Sequence, residues 1–330
     1  MTKRLVWADS IKGYLMLLVI MGHCIATAIG NDAANANYWW CLIYSFHMPA
    51  FIAISGYLNW KGVCPQYKVS EIVFRRFRQL MVPFMSWSVI KIAIGGGSID
   101  EFYNCILYPT NTFWFLWALF FIVTLFEILN QAVCKTGIKQ EIIMGAVCVL
   151  CASIMVIFKD IRIFGIQYIL YYFIFYCLGY YINKYQIQTD KKWVTVLLLI
   201  VWFILGSFWR PRELPSFLPL TGSSATIVRF AYKFIVAFVA VLAIFSFSPK
   251  VLNGRNKFNY TVCKFGSMSL GIYTSHLIIT GMVVNFVNKY VDNDIVVVLS
   301  SFVLLTMMSY SVVTLLGKWK WTSRLFLGKI

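Results

Sequence analysis

Residues 12–30 read KGYLMLLVIMGHCIATAIG. Apart from Lys12 and His23, this run holds no Lys, Arg, Asp, Glu or His. As a helix it would rise about 28 Å at ~1.5 Å per residue, close to the ~30 Å hydrocarbon core of a bilayer. The chain opens with the basic MTKR, yet no small-residue cleavage site follows, and Gly22 and His23 sit inside the run. It therefore reads as a retained first span and not as a signal peptide. Nine similar runs follow, at roughly 38–58, 79–96, 112–131, 141–158, 165–183, 193–209, 224–247, 266–288 and 295–316. They are continuous and do not alternate with period two, which selects helices over a β-barrel.

Composition agrees with that reading. Of 330 residues, 60% are hydrophobic and 12% charged, against about 25% charged in a soluble domain. A soluble globule, a disordered chain, a collagen and a coiled coil are all excluded. The expected fold is an all-α integral membrane protein, a polytopic bundle of about ten transmembrane helices. No segment between spans exceeds about 20 residues, so residues 1–330 read as a single membrane-embedded domain without a soluble catalytic part.

The charge balance is 29 Lys+Arg against 12 Asp+Glu, a net +17. In a soluble protein that excess would suggest nucleic acid. Here it tracks the loops. With the N-terminus inside, inner segments carry 21 Lys+Arg and outer loops 5. Under the positive-inside rule this places both termini in the cytoplasm and makes nucleic acid an unneeded partner. Nine cysteines are scattered, and Cys148 and Cys151 have CxxC spacing within an apolar run, without a second pair. No metal site and no disulfide framework is expected.

Ionisable groups inside a membrane are costly and often functional. The three histidines, His23, His47 and His276, each fall near the middle of a span. Each alone could simply hold a neighbouring helix; together they suggest a shared polar cavity. His23 follows Lys12 by eleven residues, which returns to nearly the same helix face about 16 Å further along. Asp9 lies three residues before Lys12 on that face. Lys12 alone also reads as a snorkelling interfacial lysine. In SFHMPAFIAISGYL (45–58), Pro49 removes a backbone donor beside His47 and can open the helix there. Ser55 and Gly56 permit a close neighbouring helix.

Arg75, Arg76 and Arg78 stand together in RRFRQLMVPF (75–84). They suit phosphate in fork geometry and equally the positive-inside signal. Arg229 and Lys233, spaced i, i+4 in the outer half of the eighth span, read as snorkelling cations, and Glu127 has the matching interfacial reading. Trp39, between Tyr38 and Trp40, suits stacking on a sugar or an aromatic belt, and the belt is the simpler reading.

These stretches resemble a known family. DSIKGYLMLLVIMGH (9–23) resembles the first-helix signature of the acyltransferase 3 family of integral membrane acyltransferases. Its basic residue, ten intervening residues and histidine are here Lys12 and His23. SFHMPAFIAISGYL resembles the second-helix signature in the form typical of fucose 4-O-acetylase-like members. RRFRQLMVPF, FWFLWALF (113–120) and GSMSLGIYTSHLII (266–279) are similar to its later motifs. The seventh and eighth spans match no motif.

The resemblance implies a ten-helix bundle in a bacterial inner membrane. It implies acyl-coenzyme A, most simply acetyl-CoA, as co-substrate with no permanently bound cofactor. It also implies a hydroxyl acceptor on a cell-surface glycan or its lipid-linked precursor. It assigns the essential first-helix histidine to His23 and the essential arginine to the 75–78 cluster, with Arg76 the choice. Residue chemistry fits. A neutral imidazole, with a reference pKa of about 6.5, suits a general base. The phosphates of coenzyme A call for cytoplasmic cations, met by Lys12, Arg75, Arg76 and Arg78. A thioester is already activated, so neither a metal nor a covalent enzyme nucleophile is needed. His47, His276, Arg229 and Trp39 are then candidates for acceptor contact or support. The rival readings are a transporter or flippase using the histidines as a proton relay, and a membrane sensor. A transporter often carries inverted repeats, and none is visible here.

Overall fold

A chain this apolar must satisfy its backbone hydrogen bonds internally, and helices do so segment by segment. The computed structural model describes residues 5–60, 68–133, 139–158, 161–187, 191–252 and 257–329, and among them there is no strand. The cations Lys3, Arg4, Lys61, Lys135, Lys159 and Arg255, and Cys64 and Cys134, lie outside the described residues. In chain order the helices begin α1 (Val6–Ile29), α2 (Asn31–Ala36), α3 (Tyr38–Tyr44), α4 (His47–Tyr57) and α5 (Val69–Arg76). A π-helical turn (Phe77–Met81) leads into α6 (Val82–Gly95), then α7 (Ile99–Leu107), α8 (Trp114–Val133), α9 (Gln140–Ile157) and α10 (Ile166–Lys184). The rest are α11 (Lys192–Ser207), α12 (Gly222–Val251), α13 (Lys257–Ser267), α14 (Ser269–Asn288), α15 (Asp294–Leu316) and α16 (Lys320–Leu327).

Seven described helices are long and apolar enough to cross a membrane: α1, α8, α9, α10 with the 3₁₀ turn before it, α12, α14 and α15. The protein is an all-α, multi-pass membrane protein. The other three expected spans differ in detail. The second is broken into α3 and α4, the third is α6 entered through the π turn, and the seventh is the 16-residue α11. Large apolar side chains face outward on the lipid-type surfaces: Val149 is 68% exposed and Met307 64%. Such exposure suits hydrocarbon and would be untenable across whole helices in water.

The chain divides into two compact units, Met1–Phe51 with Gln188–Val313, and Ile52–Ile187 with Thr314–Ile330. In the first unit α1 is the hub, packing on α2, α3, α12, α13 and α14, while α11 packs on α12 and α3. Glycine makes the tightest crossing possible. A Cβ on Gly13 would strike the Val262 carbonyl, and one on Gly266 the Asp9 carbonyl, so α1 and α13 touch backbone to backbone. Tyr14 donates to Asn259 Oδ1 at 2.9 Å across the same crossing.

In the second unit α10 packs on α8 and α9, α5 and the π turn pack on α8, and α16 packs on α6. Gly56 meets the Tyr176 carbonyl and Gly179 the Ala53 carbonyl, the close approach expected of the Ser55–Gly56 pair. Glu127 corrects its interfacial reading. It is 4% exposed and its Oε1 accepts from Asn59 Nδ2 at 2.7 Å, so burial is made tolerable by a donor instead of by snorkelling. Lys184 ties α10 to α9 through Glu141 at 2.6 Å.

Candidate active site

The first unit brings the three histidines onto neighbouring helices. His23 and His276 lie side by side, ring centroids 5.2 Å apart and planes at 57°. His47 packs edge-on to Tyr44 at 4.7 Å, and Tyr44 stacks on Trp40 at 3.7 Å. Gly22 lets the Tyr44 ring close against α1 next to His23, because a Cβ there would meet Tyr44 Cε2 at 2.6 Å. His23 is also within electrostatic reach of His47. The structure thus brings the His23 and His276 rings together, while His47 packs on Tyr44.

Each ring is held differently. His47 is 3% exposed and its Nδ1 lies 2.8 Å from the Ile43 carbonyl. A carbonyl only accepts, so Nδ1 carries the proton. It shares the Ile43 carbonyl, where α3 ends, with the Phe46 N–H, which donates to it at 3.3 Å. Pro49 sits in the first turn of α4, where its missing N–H costs nothing. The chain therefore breaks at Ser45–Phe46 and restarts at His47, the opening expected beside Pro49. His276 is fully buried, with Nδ1 donating to the Ile272 carbonyl at 2.9 Å. Its Nε2 is buried and has no hydrogen-bond partner among the described residues. His23 is half-buried, and among the described residues no hydrogen bond reaches its ring.

Lys12 is paired with Asp9, Nζ to Oδ1 3.7 Å, at the end of α1 that meets α13. The sequence places both on one face; the structure adds that they pair, so Lys12 already has a carboxylate partner. Trp39 is 65% exposed and lines a cavity of about 400 Å³ with Asn37, Asp294, the C-terminal part of α1 and the N-terminal part of α15. Arg229 donates Nη1 to the Arg212 carbonyl at 2.9 Å, so it braces the loop before α12 and does not join the histidines.

In the second unit the arginine cluster is sorted by the π turn. Arg75 and Arg78 are exposed, Arg78 lying over the Phe74 ring at 5.9 Å. Arg76 turns inward: Nη1 donates to Gln79 Oε1 at 3.1 Å, while its Nε is buried with no partner. Pro83 lacks the N–H that would return a bond to the Gln79 carbonyl, and Gly328, after α16, packs against that carbonyl. The C-terminal helix, anchored by Trp87 Nε1 donating to the Phe326 carbonyl at 2.9 Å, thus backs the π turn. Such turns recur at functional sites. The sequence signal for it was Pro83 beside the arginines. The C-terminal helix had none beyond its amphipathic KWTSRLFL.

A family model described as an acyltransferase domain matches residues 5–318, nearly the whole described chain and every element above except α16. The chain belongs to the acyltransferase 3 family. The chain is also 30% identical over 207 residues to nodulation protein NolL of Mesorhizobium japonicum, covering 58% of this chain and 53% of that protein. NolL of Sinorhizobium fredii is 30% identical over 191 residues, covering 52% and 47%. The chain thus spans about half the length of the curated relatives it matches. No solved structure matches it. The motifs of α1 and α4 fall within the matched residues.

Proposed function

We propose that this acyltransferase moves an acyl group, acetyl in the simplest case, from acyl-coenzyme A to a hydroxyl of a cell-surface glycan or its lipid-linked precursor. The observation that carries the reading is the His23 ring: half-buried, free of protein hydrogen bonds among the described residues, and beside His276. A lone pair in that position suits a general base. His23 takes the acceptor hydroxyl proton as the oxygen attacks the thioester carbon. The tetrahedral oxyanion collapses, the C–S bond breaks, and the departing coenzyme A thiolate takes the proton back from the imidazolium. The thioester supplies the activation, so the residues have only to position and to move one proton.

Arg76, whose buried Nε lacks a partner, is proposed to hold a donor phosphate, with exposed Arg75 and Arg78 adding field around it. Lys12, already paired to Asp9, is a weaker donor contact. Trp39, at the rim of its cavity, is proposed to stack on the acceptor sugar. The bacterial relatives and the 21-to-5 charge bias support a multi-pass protein of the bacterial inner membrane with both termini cytoplasmic.

The test is to incubate the full protein in nanodiscs with acetyl-CoA labelled in the acetyl group and with glycan and lipid-linked glycan fractions. Base-labile label should appear in one of these fractions. Release of coenzyme A without label in any hydroxyl acceptor would overturn the acceptor class.

A further inference from the structure

His276 contributes a defined lone pair, and nothing in the reaction above uses it. Its Nδ1 donates to the Ile272 carbonyl at 2.9 Å. A neutral imidazole with Nδ1 protonated has its acceptor at Nε2. That atom is buried and finds no partner. Thr280 donates to the His276 backbone carbonyl at 2.6 Å and ties down the same turn of α14. The ring is therefore fixed in place and in tautomer, with an unmet need for a donor.

Tyr273 packs on the ring at 5.8 Å, and the closer ring is that of His23. Its ring centroid is 5.2 Å away, and among the described residues its nitrogens make no hydrogen bond. His47 has no ring contact with His23 among the described residues and packs on Tyr44 instead. Histidine χ2 is a broad torsion, so the His23 ring is free to turn toward its neighbour without a change of helix backbone. Hydrogen bonds of this kind are often loose before substrate binds and tighten in the complex.

We propose that His276 is the positioning residue for His23. Its Nε2 accepts the His23 N–H and so leaves the other His23 nitrogen as the lone pair that faces the acceptor hydroxyl. An unoriented imidazole divides between two tautomers, and only one presents a base; a fixed partner removes that division, as the third member of a nucleophile–base–orienter set does. The proton shared with His276 stays in place while the opposite nitrogen takes and returns the reacting proton. This inference rests on His23 being the base.

The experiment uses the full protein with ¹⁵N-labelled histidine in nanodiscs, with His23 resonances assigned by their loss in His23→Ala. In the wild type, His23 should show one tautomer with an N–H hydrogen-bonded to nitrogen, sharpened by coenzyme A. His276→Ala should convert it to a tautomer mixture and lower kcat tenfold or more with donor KM unchanged. His276→Gln, whose amide oxygen stands near the Nε2 position, should restore the single tautomer and much of the turnover. His276→Asn, matching Nδ1 instead, should not. A His23 tautomer unaffected by His276→Ala, or equal losses in the Gln and Asn variants, would overturn the proposal. If His276→Ala does not fold, the Gln and Asn pair still decides. The spectrum reads the bond whatever the turnover does, whereas normal turnover in His23→Ala would strike at the base assignment alone.

Discussion

The histidines of the first unit and the arginines of the second are held in opposite ways. His47 and His276 donate Nδ1 to carbonyls four residues back, Ile43 and Ile272, and both rings are buried. Arg75 and Arg78 are exposed, and only Arg76 turns inward, at the end of α5 just before the π turn that Gly328 backs. The contrast fits the two tasks proposed for them. Moving one proton requires a known tautomer in dry surroundings, so packing must decide which nitrogen is bare. Capturing a multiply charged donor requires reach and field, which exposed guanidiniums supply without rigid placement.

The largest effect should come from breaking the histidine side. Base catalysis contributes roughly 10²–10⁴-fold. His23→Ala should therefore lose about that much kcat while donor binding holds, because the base acts mainly in the transition state. Single-turnover acyl transfer at saturating substrates measures it. Near-normal turnover would remove His23 and make His47 the next candidate, since it heads α4 at the break beside Pro49.

The arginine side should break in binding. A charge-assisted hydrogen bond contributes about 1.5–3 kcal/mol, so Arg76→Ala should weaken acetyl-CoA binding tenfold or more with the protein still inserted. Lys12→Ala should weaken it less, because Asp9 already holds that ammonium at 3.7 Å. Isothermal titration in nanodiscs separates the two. Equal, negligible losses in Arg76→Ala, Arg78→Ala and Lys12→Ala would dissolve the comparison, leaving the arginines as topology signals only.

Much of this was legible before any coordinates. Lengths of apolar run mark the spans, and the i, i+11 spacing of Lys12 and His23 marks one face of α1. What was not legible is the set of features that depend on a partner. At the Ser45–Phe46 break the Ile43 carbonyl accepts from both the Phe46 N–H and the His47 ring. The π turn depends on Gln79 and Gly328, remote in sequence. Glu127 looked interfacial because its partner Asn59 lies 68 residues away. Spacing within a helix reads local chemistry; it is silent on which carbonyl or amide a neighbouring helix brings.

Glycine crossings give the next smaller effect and test whether each unit's packing serves its site. A methyl on Gly266 would enter the Asp9 carbonyl, and one on Gly56 the Tyr176 carbonyl, and backbone cannot yield as a flexible side chain does. Overpacking of this kind costs about 1–3 kcal/mol. Gly266→Ala and Gly56→Ala should each lower the thermal midpoint in detergent, whereas Gly145→Ala, with nothing within 4 Å, should not. A Gly266→Ala protein as stable as the wild type would mean that α1 and α13 do not meet as closely as described.

The smallest effect is expected at Trp39, where the two readings of one residue diverge. Its ring is 65% exposed at a cavity whose rim also carries Asn37 and Asp294 and whose walls are Met21, Ile25, Val298 and Leu299. A belt tryptophan would contribute to insertion and nothing to substrate. A sugar-stacking tryptophan would contribute about 0.5–1.5 kcal/mol, the range for aromatic contacts beyond burial, or roughly two- to tenfold in acceptor KM. Trp39→Ala should raise acceptor KM by that factor, leave donor KM unchanged, and be largely rescued by Trp39→Phe, which keeps a ring face. Exposed Trp193, far along the chain at the start of α11, is the control for a general membrane effect. If Trp39→Ala and Trp193→Ala alter only insertion, in equal measure and with acceptor KM unmoved, then the cavity beside Trp39 is not where the acceptor sugar binds, and the aromatic belt accounts for the residue in full.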